Sequence, residues 1–231
     1  MSFLRGDPNR PLVHDCPERI AGICPIKWLA PEERLGEEFA RIIESAKDEK
    51  PLQEFFEQNP IALLLSLVQP HTAWVIPQPS LPKPTGGGWI PDFIVCEWSS
   101  VGPLWIIVEL ESPTKSPVTK VGLSQICNHA SEQINSYRTY LRDNATWLRA
   151  NGWPRIHGEC DGVIVIGRRN DPGRSHHVDK LEAFRRQKIE IMSYDRLLDN
   201  YMHTGPALAK RNQAFLKWTE SLKGGSTSNQ M

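Results

Sequence analysis

Residues 90–111 read IPDFIVCEWSSVGPLWIIVELE. Two runs rich in β-branched and aromatic residues, 90–98 and 104–111, flank the turn-forming stretch Ser99-Ser100-Val101-Gly102-Pro103. That pattern predicts an antiparallel hairpin. Alternation along the second strand puts Glu109 and Glu111 on one face and Ile106, Val108 and Leu110 on the other, which is the core face. Pairing about a turn near residues 100 and 101 sets Asp92 beside Glu109. Three carboxylates therefore gather at one end of a hydrophobic hairpin. Acids held that close repel and raise one another's pKa. A divalent cation removes the repulsion, and hard oxygen ligands with open positions suit Mg²⁺ or Mn²⁺. Such an ion lowers the pKa of bound water and stabilises charge on a phosphate under attack. The competing expectation is a set of solvated strand-end acids, which is how Glu97 is read.

Moving outward, the hairpin lies between helical segments. Pro31, Glu32 and Glu33 suit the first turn of a helix, and Leu35, Phe39, Ile42 and Ile43 form its apolar stripe. Residues 52–59 predict a second helix with Phe55 and Phe56 inward, and 61–67 a further helical turn after Pro60. The proline- and glycine-rich run 70–91 predicts a loop with one short strand near 74–76. After the hairpin, 121–150 predicts one long helix with Ile126, Ala130, Ile134, Tyr137 and Leu141 on one side. Residues 162–167 (GVIVIG) and 188–192 (KIEIM) predict two strands separated by a helix over 176–187. A helix capped by Ser193 or Asp195 and a last amphipathic helix over 208–222 complete the order, ahead of a disordered GGSTSNQM tail. The alternation is that of an α/β fold with a mixed central sheet flanked by helices.

Composition narrows the classes. Hydrophobic residues make up 39% of 231, enough for a core but with no run long enough to cross a membrane. The formal net charge is zero, so any contact with nucleic acid must come from local basic patches. Five cysteines, Cys16, Cys24, Cys96, Cys127 and Cys160, form no CxxC pair. No secretory leader is evident, and a reduced cytoplasmic protein is expected.

Pro91-Asp92-Phe93, then Val108-Glu109-Leu110-Glu111 and Ser112-Pro113, resembles the PD-(D/E)xK nuclease core. The wider pattern resembles the Shedu family of bacterial anti-phage proteins. Its matching stretches are Glu54-Phe55-Phe56 through Asn59-Pro60, the two hairpin strands, Gln133 through Tyr137, Ile164-Val165-Ile166-Gly167-Arg168, and Ile191-Met192-Ser193-Tyr194-Asp195-Arg196-Leu197-Leu198. The resemblance implies a restriction-endonuclease-like PD-(D/E)xK core, DNA cleavage in phage defence and a homo-oligomer, dimer or tetramer. It implies a nuclease domain over 50–204, after an N-terminal arm and helix at 1–49 and before a C-terminal helix and tail at 205–231. It also places Gln133 near the metal. One departure stands out: the family motif usually ends in Lys, and this chain has Glu111 there. Glu111 can act as ligand or proton acceptor. The alternative is a catalytically weakened nuclease fold that binds DNA or a protein, and a weaker third possibility is hydrolysis of RNA or a nucleotide.

The catalytic set expected is Asp92, Glu109, Glu111 and Gln133, with the three acids as metal ligands. Lys115, Lys120, Arg168 and Arg169 are the expected DNA contacts. Arg174, His176 and His177 extend that basic loop, with metal binding by the histidines disfavoured because adjacent helical side chains diverge. Glu54 and Glu57 are read as an exposed helix face, either of which can supply an outer carboxylate.

Overall fold

The computed structural model describes residues 34–68, 72–82, 88–100, 102–151, 153–170 and 178–224, with side chains of the last helix described to Lys210. The arm at 1–30 with Cys16 and Cys24, the basic-loop residues Arg174, His176 and His177, and the tail after Gly224 lie outside the described residues.

Three helices lead in: α1 (Leu35–Ser45), α2 (Lys50–Gln58) and α3 (Pro60–Leu67). Pro51 and Pro60 stand in the first turns of α2 and α3, where a missing N–H costs nothing. A five-stranded sheet follows in the order β1 (Thr72–Pro77), β4 (Phe93–Ser99), β5 (Gly102–Leu110), β8 (Asp161–Val165), β9 (Ile189–Met192). β4 runs antiparallel to both β1 and β5, and β5, β8 and β9 run parallel. A two-residue pair, β2 (Leu81–Pro82) with β3 (Gly88–Trp89), forms within the proline-rich run. The sheet is mixed and flanked by helices on both faces, as the alternation of elements predicts.

Parallel neighbours need crossovers, and helices supply them. Between β5 and β8 come α4 (Gln125–Asp143) and α5 (Ala145–Ala150), and between β8 and β9 comes α6 (Val178–Arg186). These cover one face, where Trp105, Ile107, Ile134, Tyr137, Leu141 and Ile164 form a core. Gly162 lets α4 approach β8, since a Cβ there would sit 2.9 Å from the Ile134 side chain. The opposite face packs against α1–α3 and the final helix α7 (Tyr194–Gly224). Phe39, Phe55, Phe56 and Phe93 stack edge and face there, and all four are buried.

Two expectations change. The predicted single helix over 121–150 is a small hairpin, β6 (Val118–Thr119) with β7 (Gly122–Leu123), then α4 and α5. Ser124 caps α4 by accepting from the Cys127 N–H at 3.2 Å, which fixes the true start. Asn144 divides α4 from α5, its side chain donating to the Tyr140 carbonyl at 2.9 Å. The two predicted C-terminal helices are instead one, running unbroken through Pro206. The Ser193 hydroxyl oxygen accepts from the Arg196 N–H at 3.3 Å and marks its start.

Candidate functional site

Asp92 stands immediately before β4, and Glu109 is the penultimate residue of β5. The register that pairs Phe93 with Val108 sets Asp92 directly opposite Glu109. The two acids brace each other through backbone. Asp92 Oδ2 accepts from the Leu110 N–H at 2.7 Å, and the Asp92 N–H donates to the Glu109 carboxylate. The Asp92 carbonyl in turn accepts from the Gln78 N–H at 2.9 Å. This mouth lies at the carboxyl end of β5, where open α/β sheets place their ligands.

Glu109 is 5% exposed, unusual for a carboxylate. It receives a hydrogen bond from the Tyr137 hydroxyl, and the Gln133 amide donates to that same phenol oxygen. Gln133 therefore reaches the site through Tyr137. The other oxygen, Oε1, is buried without a partner. Burial, then the charge of Asp92, pushes the Glu109 pKa up to about 8 against the opposing Asp92 N–H and Tyr137 hydroxyl. Burial, resisted by the Leu110 N–H and reinforced by Glu49 and Glu57, raises Asp92 to about 6. Burial followed by the charges of Glu49 and Asp92 raises Glu111 to about 7. Burial and the charge of Glu109 also push the Tyr137 phenol upward.

Glu111 lies just past β5 with its backbone clamped. Its N–H donates to the Val165 carbonyl at 2.8 Å, and its carbonyl accepts from the Tyr194 hydroxyl at 2.8 Å. Tyr194 is fully buried at the start of α7. The next residues curl back: Ser112 and Thr114 hydroxyls donate to the Lys47 carbonyl at 3.0 and 3.2 Å. Gly167, at φ +66°, makes room for the Lys115 carbonyl, which a Cβ would meet at 2.3 Å.

Of the expected basic contacts, Lys115 and Lys120 are exposed on the segment that follows. Arg168 and Arg169 sit at the end of β8 already engaged. Arg168 bonds Asp195 through Nε and Nη2 at 3.0 and 2.9 Å and Glu44 at 2.5 Å. Arg169 bonds Asp199, and its N–H donates to Asp195 at 2.6 Å. Glu54 pairs with Lys50 at 4.0 Å on the exposed face of α2, and Glu57, also exposed, accepts from Gln53 Nε2 at 2.9 Å and adds its charge to Asp92. A separate open groove runs along α4, lined by Trp89, Asn135, Thr139 and Asp143, and Asp92, Glu109 and Glu111 do not line it.

Three contributors escaped the sequence reading. Glu49, at the N-cap of α2, adds charge to Asp92 and Glu111. Gln53, buried on α2, has its Nε2 3.5 Å from the Asp92 carbonyl. Tyr194 pins Glu111. The one available signal was the four-residue spacing of Gln53 and Glu57, which share a helix face.

Among the described residues no three His, Cys, Asp or Glu side chains converge into a ready-made metal ligand set. The donors present nonetheless fit Mg²⁺ or Mn²⁺. Mg²⁺ is typically held by one or two carboxylates and keeps several waters, with substrate phosphate completing its shell. Asp92 and Glu109 supply two such carboxylates, and the buried, partnerless Glu109 Oε1 is an acceptor that a cation would satisfy.

A family model described as Shedu protein SduA, C-terminal, matches residues 46–198. No curated protein matches the chain.

Proposed function

Because the chain belongs to the Shedu family, we propose that it is a divalent-metal-dependent endonuclease that cuts or nicks DNA in anti-phage defence, built on a PD-(D/E)xK core. Family membership suggests the defence role. The observation that carries the chemistry is the Asp92–Glu109 pair: a half-buried and a buried acid set opposite each other, both shifted toward neutral pH, with one oxygen unpartnered. Structural acids are normally paired or solvated, and perturbed pairs of this kind cluster at functional sites.

Asp92 and Glu109 would hold the ion. Bound there, Mg²⁺ or Mn²⁺ would activate a water and offset charge on the reacting phosphate. Tyr137, steadied by Gln133, orients Glu109. Tyr194 and Val165 fix the backbone of Glu111, whose carboxylate would serve as further ligand or as proton acceptor. Lys115 and Lys120, both exposed, would meet DNA phosphates. A homo-oligomer in the cytoplasm is the expected setting.

The test is nicking of supercoiled plasmid by the purified chain. Cleavage with Mg²⁺ or Mn²⁺ that EDTA abolishes is the expected result. Cleavage unaffected by EDTA, or none under any metal, contradicts the proposal. Glu111 in the usual lysine position favours a second reading, a nuclease fold retained for binding. On that reading wild type is silent and Glu111→Lys switches cleavage on; on the first, wild type cleaves without it.

A further inference from the structure

We propose that Gln53 is a positioning residue of the carboxylate site: its amide N–H groups brace the Asp92 turn from α2, and its carbonyl oxygen accepts a hydrogen bond from a water on the bound cation. This rests on the reading of Asp92 and Glu109 as a divalent-cation site.

Gln53 is 8% exposed, in the middle of a helix whose other buried side chains are Leu52, Phe55 and Phe56. An amide so placed must find partners or leave polar atoms unsatisfied. Its Nε2 lies 2.9 Å from Glu57 Oε1 and 3.5 Å from the Asp92 carbonyl. Both neighbours are acceptors only, so the NH₂ must face them, and the amide orientation follows from chemistry. Its Oε1 is then directed elsewhere, and it is buried with no partner.

Glu109 Oε1 is in the same condition, and its residue lies directly across from Asp92. Both orphan atoms are acceptors, so neither can satisfy the other. Both call for a donor, or in the case of Glu109 for a cation. A hydrated divalent ion held at Asp92 and Glu109 would present its charge to the carboxylate and the protons of its waters to the amide carbonyl. Mg²⁺ keeps several of its waters when it binds protein. Groups that contact a metal through such an intermediate are typically worth 10–100-fold in affinity. A plain buried water would satisfy Gln53 Oε1 equally well, but it would leave cation affinity independent of residue 53.

Mn²⁺ binding to the full chain, followed by calorimetry and by loss of the free-ion electron paramagnetic resonance signal, separates these cases. Gln53→Met keeps the length of the side chain and removes both polar atoms; Gln53→Glu keeps an acceptor oxygen. The expected result is a 10–100-fold weaker Mn²⁺ affinity for Gln53→Met, with affinity largely recovered in Gln53→Glu. A folded Gln53→Met with wild-type affinity overturns the inference and leaves the metal site intact. Wild type that binds no more Mn²⁺ than Asp92→Ala overturns both. Should Gln53→Met fail to fold, Gln53→Glu decides: retained affinity supports the acceptor role, and lost affinity in a folded protein overturns it.

Discussion

Two charged clusters stand at the carboxyl ends of neighbouring parallel strands, and they are built on opposite terms. Beyond β8, Arg168 and Arg169 are matched by Asp195, Asp199 and Glu44. Burial alone would raise the Asp195 pKa, but Arg168 and the Arg169 N–H outweigh it and hold it below the usual carboxylate range. Beyond β5, Asp92 raises the pKa of both Glu109 and Glu111, Glu49 adds its charge at Asp92 and Glu111, and among the described residues none of the three has a salt bridge. The first cluster spends its charge tying β8 to α1 and α7. The second holds like charges together at a cost to the fold, and the cost makes sense if a ligand offsets it. Neighbouring acids in one molecule thus separate into structural and functional ones by what answers their charge.

The contrast can be tested by removing one member at a time. The largest stability effect is expected at Glu109. Its folded pKa is raised from 4.5 to about 8, so its stabilising contribution is complete below pH 4.5 and is lost as pH rises through 8. Glu109→Gln mimics the neutral acid and is expected to stabilise the cation-free protein by roughly 3 kcal/mol at pH 9, with the gain vanishing near pH 4.5. Urea melts across that range check it; a variant less stable at pH 9 would show the acid to be structurally satisfied.

Arg168→Ala should act in the opposite direction. It strands Asp195 and removes a bidentate contact, for an expected loss of about 1–2 kcal/mol. Chemical denaturation with and without Mn²⁺ reads it: the loss should be the same in both, and a loss that appears only with metal would place Arg168 in the other cluster. The smallest stability change, within about 0.5 kcal/mol, is expected for Lys115→Glu and Lys120→Glu because both are exposed. Their signature is instead in DNA binding, where each should lower the magnitude of the salt slope by about one. Unaltered slopes would mean that neither lysine meets a phosphate.

The hairpin was legible because its pattern is local: alternation, a turn and strand-end acids specify a register, and the register alone brings Asp92 opposite Glu109. The two-sided core followed from apolar strands set between amphipathic helices. The start of α4 was not legible, because Val121 and Leu123 fit a helical stripe and only Ser124 capping, together with the Thr119–Gly122 pairing, excludes them. Gln53 and Glu49 were hidden for a different reason. They reach the site from a helix nearly forty residues earlier in the chain, and nothing in their spacing says which way that helix faces. Arg168 and Arg169 read as a phosphate patch, and their acid partners Asp195, Asp199 and Glu44 were not legible because they come from α7 and α1.

The central claim is that the unanswered acids at the β5 end do the chemistry. The direct measurement is Mn²⁺-supported plasmid nicking by wild type, Asp92→Ala, Glu109→Ala and Arg168→Ala at equal concentration, each shown folded by circular dichroism. We predict that the first two substitutions lower the rate by about 100-fold or more, while Arg168→Ala retains most of it. Undiminished cleavage by both Asp92→Ala and Glu109→Ala would contradict the account.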